Sequence, residues 1–293
     1  MDILKDDFNF YHFTVDKAIK NKEFLKKINL SSRYIRRSVR EKNIFVNGQL
    51  ILHNIDLKPK DIVSIKIEEE ELNAIAEEKE LDIAYEDNDL LVVNKEPGII
   101  AHAVNVEQRG TLSNYIAGYF LKNNIKRKVR LVNRLDRDTS GLIIVAKNSN
   151  AHSQLAKQME EGKIIKKYMA ILEGIIDREV IIEKNILRSE DGIKRIVDQR
   201  GQYAKTLVKP VKTFNNMTLA EVRLFTGRTH QIRVHLNYIG HSLVGDPLYG
   251  NPSPLIERQA LHSYYLKFNH PRTNKIVEIE GKMPKDMKAL IDG

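Results

Sequence analysis

At 293 residues the chain is long enough for two domains, the larger with a substantial core. It has no cysteine, which excludes disulfides and thiolate metal sites and suits a reducing cytosol. The formal charge of +9 favours a polyanionic partner. No apolar run reaches the roughly 18 residues of a membrane span, and Met1 to Asp7 lacks the apolar centre of a signal peptide, so a cytoplasmic protein is expected.

The charge is unevenly spread. Residues 1–67 carry a net +6, residues 68–80 a net −6, and the remainder +9. Two basic bodies flanking an acidic connector predict a boundary between Glu68 and Leu81, with a first domain at 13–67, a linker at 68–80 and a larger domain at 81–293. The acidic strip either extends the linker by self-repulsion or is a solvated helix.

In the first body, Val15 to Leu25 reads as a helix. Ser31-Ser32 offers an N-cap for a second, Arg33 to Lys42. Arg33, Arg36, Arg37 and Arg40 fall on one continuous basic face of it, and Ile35 and Val39 mark the opposite, packed side. Ile44-Phe45-Val46, Asn47-Gly48 and Gln49 to Leu52 form a hairpin signal, and Ile62 to Ile67 a further strand.

The larger body opens with two strands around Glu86-Asp87-Asn88-Asp89. Lys95-Glu96-Pro97-Gly98 follows, a turn that either holds a substrate phosphate or only shapes the chain. Thr111 to Asn123 predicts a helix with Leu112, Tyr115, Ile116 and Tyr119 as its apolar stripe. The most informative stretch comes next: Asn133-Arg134-Leu135-Asp136-Arg137-Asp138-Thr139-Ser140-Gly141, running into the buried-strand signal Leu142 to Ala146. Alone, it fits an Arg–Asp pair closing a turn as well as it fits catalysis. Asn150 to Glu161 reads as a helix capped by Asn150, Tyr168 opens a strand through Leu172, and residues 177–205 look like an exposed excursion without chemistry. In Thr226-Gly227-Arg228-Thr229-His230-Gln231-Ile232-Arg233, Thr229 is the expected cap and Arg233 lies in the first turns of a helix that ends at Gly240. His230 and His235 are five apart, which is not the spacing of a helical metal pair, and read as hydrogen-bonding or packing histidines.

Arg-Leu-Asp-x-x-Thr-Ser-Gly, Lys-Lys-Tyr-x-Ala, Thr-Gly-Arg-Thr-His-Gln-Ile-Arg, Gly-Asp-x-x-Tyr-Gly and Ala-Leu-His, in that order from Leu81 onward, resemble the RluA-type family of pseudouridine synthases. Residues from Phe13 to Ile67 resemble an S4-type RNA-binding domain, which implies that the face of Arg33, Arg36, Arg37 and Arg40 meets RNA phosphates rather than being merely solvated. The chain departs from the family at Asn133, where many members have His, and at Ala103, where many have Pro. The resemblance implies an α+β fold: a mixed, mainly antiparallel sheet with helices packed on it, preceded by a small α+β S4-like domain. It implies Asp136 as the essential aspartate, Tyr168 as the active-site tyrosine and Arg233 as the aspartate's partner. Arg134 would touch RNA beside the displaced nucleotide, and Arg228, His230, Thr139 and Lys95 are further expected substrate contacts.

Converting uridine to pseudouridine breaks an N–C bond, turns the base and makes a C–C bond. No electrons enter or leave, so neither a cofactor nor a metal is expected. Asp136 would act either as a nucleophile or as a base at C2′, kept charged and oriented by Arg233. A non-catalytic RNA-binding or ribosome-assembly factor is the competing class, but the Asp, Tyr and Arg that it would have lost are all present. A glycosidase would need a second cooperating carboxylate. The expected partner is RNA, ribosomal rather than transfer RNA, bound by a monomer.

Overall fold

A computed structural model describes residues 7–102 and 107–292; Ala103 lies outside them. The N-terminal body runs β1 (Phe10–Thr14), β2 (Ile19–Lys20), α1 (Asn21–Lys27), α2 (Ser32–Arg40), β3 (Ile44–Val46), β4 (Gln49–Leu50), β5 (Asp56–Leu57) and β6 (Ile62–Lys66). Its antiparallel sheet has the order β1-β6-β3-β4. The strand β1 is an addition to the sequence reading; its signal is the period-two burial of Tyr11 and Phe13. The expected helix from Val15 does not form: Ile19 and Lys20 pair with Leu57 and Asp56, so the chain stays extended until Asn21. Ser31 does cap α2, accepting from the Tyr34 N–H. Val39 is 56 % exposed, however, and the inward face is carried by Tyr34, Ile35 and Ser38. Asn47 and Gly48 both adopt positive φ, as a tight hairpin turn requires.

The acidic connector does not repel itself outward. Glu68 is held by Arg37 and Asn43, Glu69 by Lys126 and Glu70 by Arg130. Leu72, Ala74 and Ala76 pack on the core of the larger body. A carbonyl there lies where Gly118 would carry a Cβ, 2.1 Å from Glu77 O, so only glycine admits the crossing.

The larger body follows as β7 (Ile83–Glu86), β8 (Leu90–Lys95), α3 (Leu112–Lys122), β9 (Arg130–Leu131), β10 (Ser140–Ala146), α4 (Ser149–Glu160), β11 (Ile165–Glu173), β12 (Val180–Glu183), β13 (Ile186–Arg188), β14 (Arg195–Val197), β15 (Lys205–Phe214), β16 (Met217–Leu224), α5 (Gln231–Tyr238), β17 (Leu261–Asn269), β18 (Ile276–Glu280) and α6 (Lys285–Asp292). Its main sheet has the order β12-β15-β16-β11-β17-β10-β8-β7, with β18 on β17 and β9 on β10. The fold is the expected α+β arrangement, mixed and mainly antiparallel.

The pairing of β10 with β17 is parallel and only two residues long, Ser140 with His262 and Gly141 with Ser263. At this seam Gly141 has φ +119°, and a Cβ would lie 2.3 Å from Ser263 O. The strand β10 is buried along its whole length because both faces are covered. Leu142, Ile144 and Ala146 meet Ala151 and Leu155 of α4. Ile143 and Val145 meet the core that includes Ile116 and Phe120 of α3 and Ile232 and Leu236 of α5. The cap of α4 is Asn148, not Asn150; Asn150 instead accepts from the Ser31 N–H of the first body.

That contact belongs to a wider junction. Arg272, just beyond β17, forks onto Asp89 and also donates to the carbonyls of Asp7 and Phe10. The Tyr11 hydroxyl reaches Asp89 and Asn148. Beside them, burial raises the Asp87 carboxyl, but hydrogen bonds from His270 and Tyr85 overcome this and hold it down at about 2.

Candidate active site

A cleft of about 720 Å³ opens between the loop before β10 and the strands β11 and β16, bounded by residues 131–136, Thr139, Tyr168 and residues 223–233. Asp136 enters it from the loop before β10. Three consecutive carbonyls fix that loop: Asp136 O accepts from the Thr139 N–H at 3.1 Å, Arg137 O from Lys95 Nζ at 2.8 Å, and Asp138 O from Arg258 Nη1 at 3.1 Å. Arg258 is itself forked onto Asp286. The exposed Arg137 pairs with Asp138 at 3.0 Å, so the turn-closing ion pair exists beside the site rather than in place of it.

Arg233 reaches the cleft from the first turn of α5. Its Nη1 donates to Asp136 Oδ2 at 3.3 Å, while Nε and Nη2 fork onto Asp246 at 2.7 Å each. Asp246 has no exposed surface and also accepts from the N–H groups of Leu248 and Tyr249. Burial raises its carboxyl, yet Arg233 and these amides outweigh that and lower it. The guanidinium therefore arrives already oriented, with its Nη1 turned to a carboxylate whose side chain is 30 % exposed. Asp246 had no assigned role in the sequence; its only signal was membership of the Gly-Asp-x-x-Tyr-Gly motif.

Tyr168 lies at the back of the cleft, 5 % exposed. Burial pushes its hydroxyl well up and the charge of Asp136 adds to this, so the ring is a neutral, mostly apolar surface. Arg134 is exposed on the lining, and Arg228 is on the rim with its Nε tied to Tyr203 O at 3.1 Å. His230 is set beside Asp136, its Nε2 3.9 Å from Oδ2.

Two expected substrate contacts are used differently. Lys95 is 1 % exposed and does not line the cleft; its ammonium holds the Asp136 loop from behind, and burial lowers it to about 7. Thr139 does touch the cleft lining but is 2 % exposed, with its hydroxyl taken by Gln259 Nε2 at 3.1 Å. Asn133 bridges the backbone of β10, donating to Leu142 O and accepting from the Ile144 N–H, as a neighbouring strand would.

Thr229 does not cap α5. His230 occupies that position in the left-handed region, without a side-chain cap. His235 is a packing histidine, bonded to Thr206 and Lys184 O. Among the described residues, no helix is long and apolar enough to cross a membrane. The arginine face of α2 is exposed at Arg33, Arg36, Arg37 and Arg40, with Arg37 paired to Glu68 and Arg40 to Glu41.

The chain is similar to known proteins along most of its length. The family model described as RNA pseudouridylate synthase matches residues 89–238. The chain is 40 % identical over 271 residues to the Bacillus subtilis RNA pseudouridine synthase YlyB, covering 89 % of each chain. It is 37 % identical over 285 residues to the ribosomal large subunit pseudouridine synthase D of Buchnera aphidicola, covering 89 % of this chain and 88 % of that one. Among solved structures, human RNA pseudouridylate synthase domain containing 1 superposes with a TM-score of 0.58 at 28 % identity, over 69 % of this chain and 83 % of that one. A fold with an aspartate and arginine meeting over a buried tyrosine, and relatives matched along most of its length, lead to one conclusion: the chain belongs to the RluA-type pseudouridine synthases, isomerases that act on RNA.

Proposed function

We propose that this enzyme isomerises specific uridines of 23S ribosomal RNA, with Asp136 as the essential carboxylate acting on a nucleotide flipped into the cleft. The observation that carries this is the Arg233 fork: a guanidinium locked by a fully buried Asp246 turns its Nη1 to the partly exposed Asp136 carboxylate. Such preorganisation is useful where a carboxylate must stay ionised against a ribose. The N1–C1′ bond breaks with its electron pair on N1, the uracil turns, C5 bonds to C1′, the C5 proton leaves and N1 takes one up. Tyr168 offers the face on which the uracil stacks, and Arg134 braces the strand that it left.

We assign residues 13–67 as an S4-like RNA-binding domain, with Arg33, Arg36, Arg37 and Arg40 meeting phosphates, and the working unit as a monomer. Several relatives are named for the ribosomal large subunit, which supports ribosomal over transfer RNA. The test is Asp136→Asn: pseudouridine formation falls below detection while RNA affinity stays within about threefold, because one charge among many phosphate contacts changes. Retained turnover rejects the assignment. Mapping pseudouridines in total RNA from a strain lacking the protein separates the two RNA classes.

A further inference from the structure

The hairpin β13–β14 belongs to the segment that reads from sequence as surface decoration, yet it reaches the site. The Arg195 N–H donates to the Tyr249 hydroxyl oxygen at 2.7 Å, and that hydroxyl lies 2.9 Å from His230 Nδ1. A phenol oxygen that accepts from an amide still has its own proton to give to the ring nitrogen it faces. With Nδ1 as that acceptor, the imidazole carries its hydrogen on Nε2. Nε2 faces Asp136 Oδ2 at 3.9 Å, the same oxygen that receives Arg233 Nη1. Among the described residues, no hydrogen bond falls on Oδ1.

His230 keeps this pose at φ 55° and ψ 18°, a region that side chains with a Cβ rarely adopt and hold only where the surroundings impose it. The groups around it favour a neutral ring. Burial lowers its pKa most; Asp136 opposes this, Arg233 and Arg195 reinforce it, and Asp246 opposes again, with the net shift downward.

We propose that His230 is a positioning residue whose Nε2–H, aimed by Tyr249 and the β13–β14 hairpin, closes on Asp136 Oδ2 and leaves Oδ1 as the oxygen that meets the ribose. The inference rests on Asp136 being the reacting carboxylate. The gap at 3.9 Å shortens as RNA fills the cleft, as contacts between catalytic groups do when substrate binds.

The experiment is single-turnover tritium release from total RNA labelled with 5-tritiated uridine, taken from cells lacking the enzyme. His230→Ala lowers the rate about tenfold, the worth of one oriented hydrogen bond to a charged group. The half-saturating RNA concentration stays within about twofold, since the contact is not to RNA. His230→Gln, whose amide N–H reaches the same region, recovers most of the rate. Tyr249→Phe, which frees the ring while keeping its own ring beside Arg233, loses about threefold. Unchanged Tm values establish that the variants fold. A loss confined to RNA affinity, or equal losses in His230→Ala and His230→Gln, overturns the proposal. An active Asp136→Asn removes the premise instead, so the two failures are distinguishable.

Discussion

Two buried arginine forks, one at the junction between the bodies and one in the cleft, are built almost alike. Arg272 grips Asp89 and Arg233 grips Asp246, each pair within 6 % exposure or less, and each guanidinium lies against a tyrosine ring, Tyr11 at 4.4 Å and Tyr249 at 5.1 Å. They differ in the third donor. At the junction Nη1 goes to the carbonyls of Asp7 and Phe10, which closes the network. In the cleft it goes to Asp136, which still faces solvent. The same charged pair thus serves as a rivet where the third nitrogen finds backbone, and as a holder for a reacting group where it meets an open carboxylate.

Replacing each arginine by lysine tests that contrast, because lysine keeps the charge but cannot fork. Arg233→Lys should cut turnover by about 10² to 10³, the range for losing one preorganised donor at a charged group. Arg272→Lys should leave the rate per folded molecule unchanged and lower stability by about 3 kcal/mol, from a buried carboxylate left poorly paired. Denaturant midpoints and single-turnover rates on both variants decide the matter. If the two lose activity and stability in the same proportion, the division between rivet and holder is wrong.

The cleft fork was half legible in the sequence. Asp136 stands in a polar loop entering a β-branched strand, and Arg233 on a helix whose apolar period is visible, so each residue's place follows from local pattern. Asp246 is separated from Arg233 by a helix and a turn, and only their meeting in space gives it a role. Lys95 and Thr139 show a different limit: sequence supplies a residue type, but not whether its side chain faces the cleft or the back of the loop. The mistaken helix from Val15 failed because a two-residue ladder to Leu57, far along the chain, outweighed local propensity. The self-repelling alternative for the acidic connector failed likewise. Its glutamates looked self-repelling because Lys126 and Arg130, which neutralise two of them, lie more than fifty residues away.

Neither fork lies on the parallel seam, which offers a further contrast. There His262 is fully buried, bonded through Nδ1 to the Ser140 hydroxyl at 2.9 Å, and burial lowers it to about 4. A histidine that stays neutral in the fold but protonates when unfolded favours the unfolded chain in acid. No such effect acts above the unfolded value near 6.5. Stability then falls as the pH drops from there towards 4, by about 3 kcal/mol at most, and this term flattens below. Urea midpoints between pH 7 and pH 4 read the slope, and His262→Gln should be less stable at neutral pH but lose less on acidification. A slope that His262→Gln leaves unchanged would assign the acid sensitivity to other groups.

The smallest expected effect separates arginines on the exposed face of α2. Arg37 is tied to Glu68 at the start of the connector, so binding a phosphate there means giving up a partner. Arg36 lines the groove between α1 and α2 and faces no acid among the residues lining it. If this face meets RNA, Arg36→Ala should make the slope of log affinity against log salt shallower by nearly one, the counterion release of a single phosphate contact. Arg37→Ala should change it less, because the freed Glu68 and the lost cation shift the local charge without a full phosphate contact being lost. Filter binding at several salt concentrations gives both slopes. Equal changes would mean that the Glu68 pair opens at no cost when RNA arrives, and no change in either would place the RNA elsewhere on the basic surface.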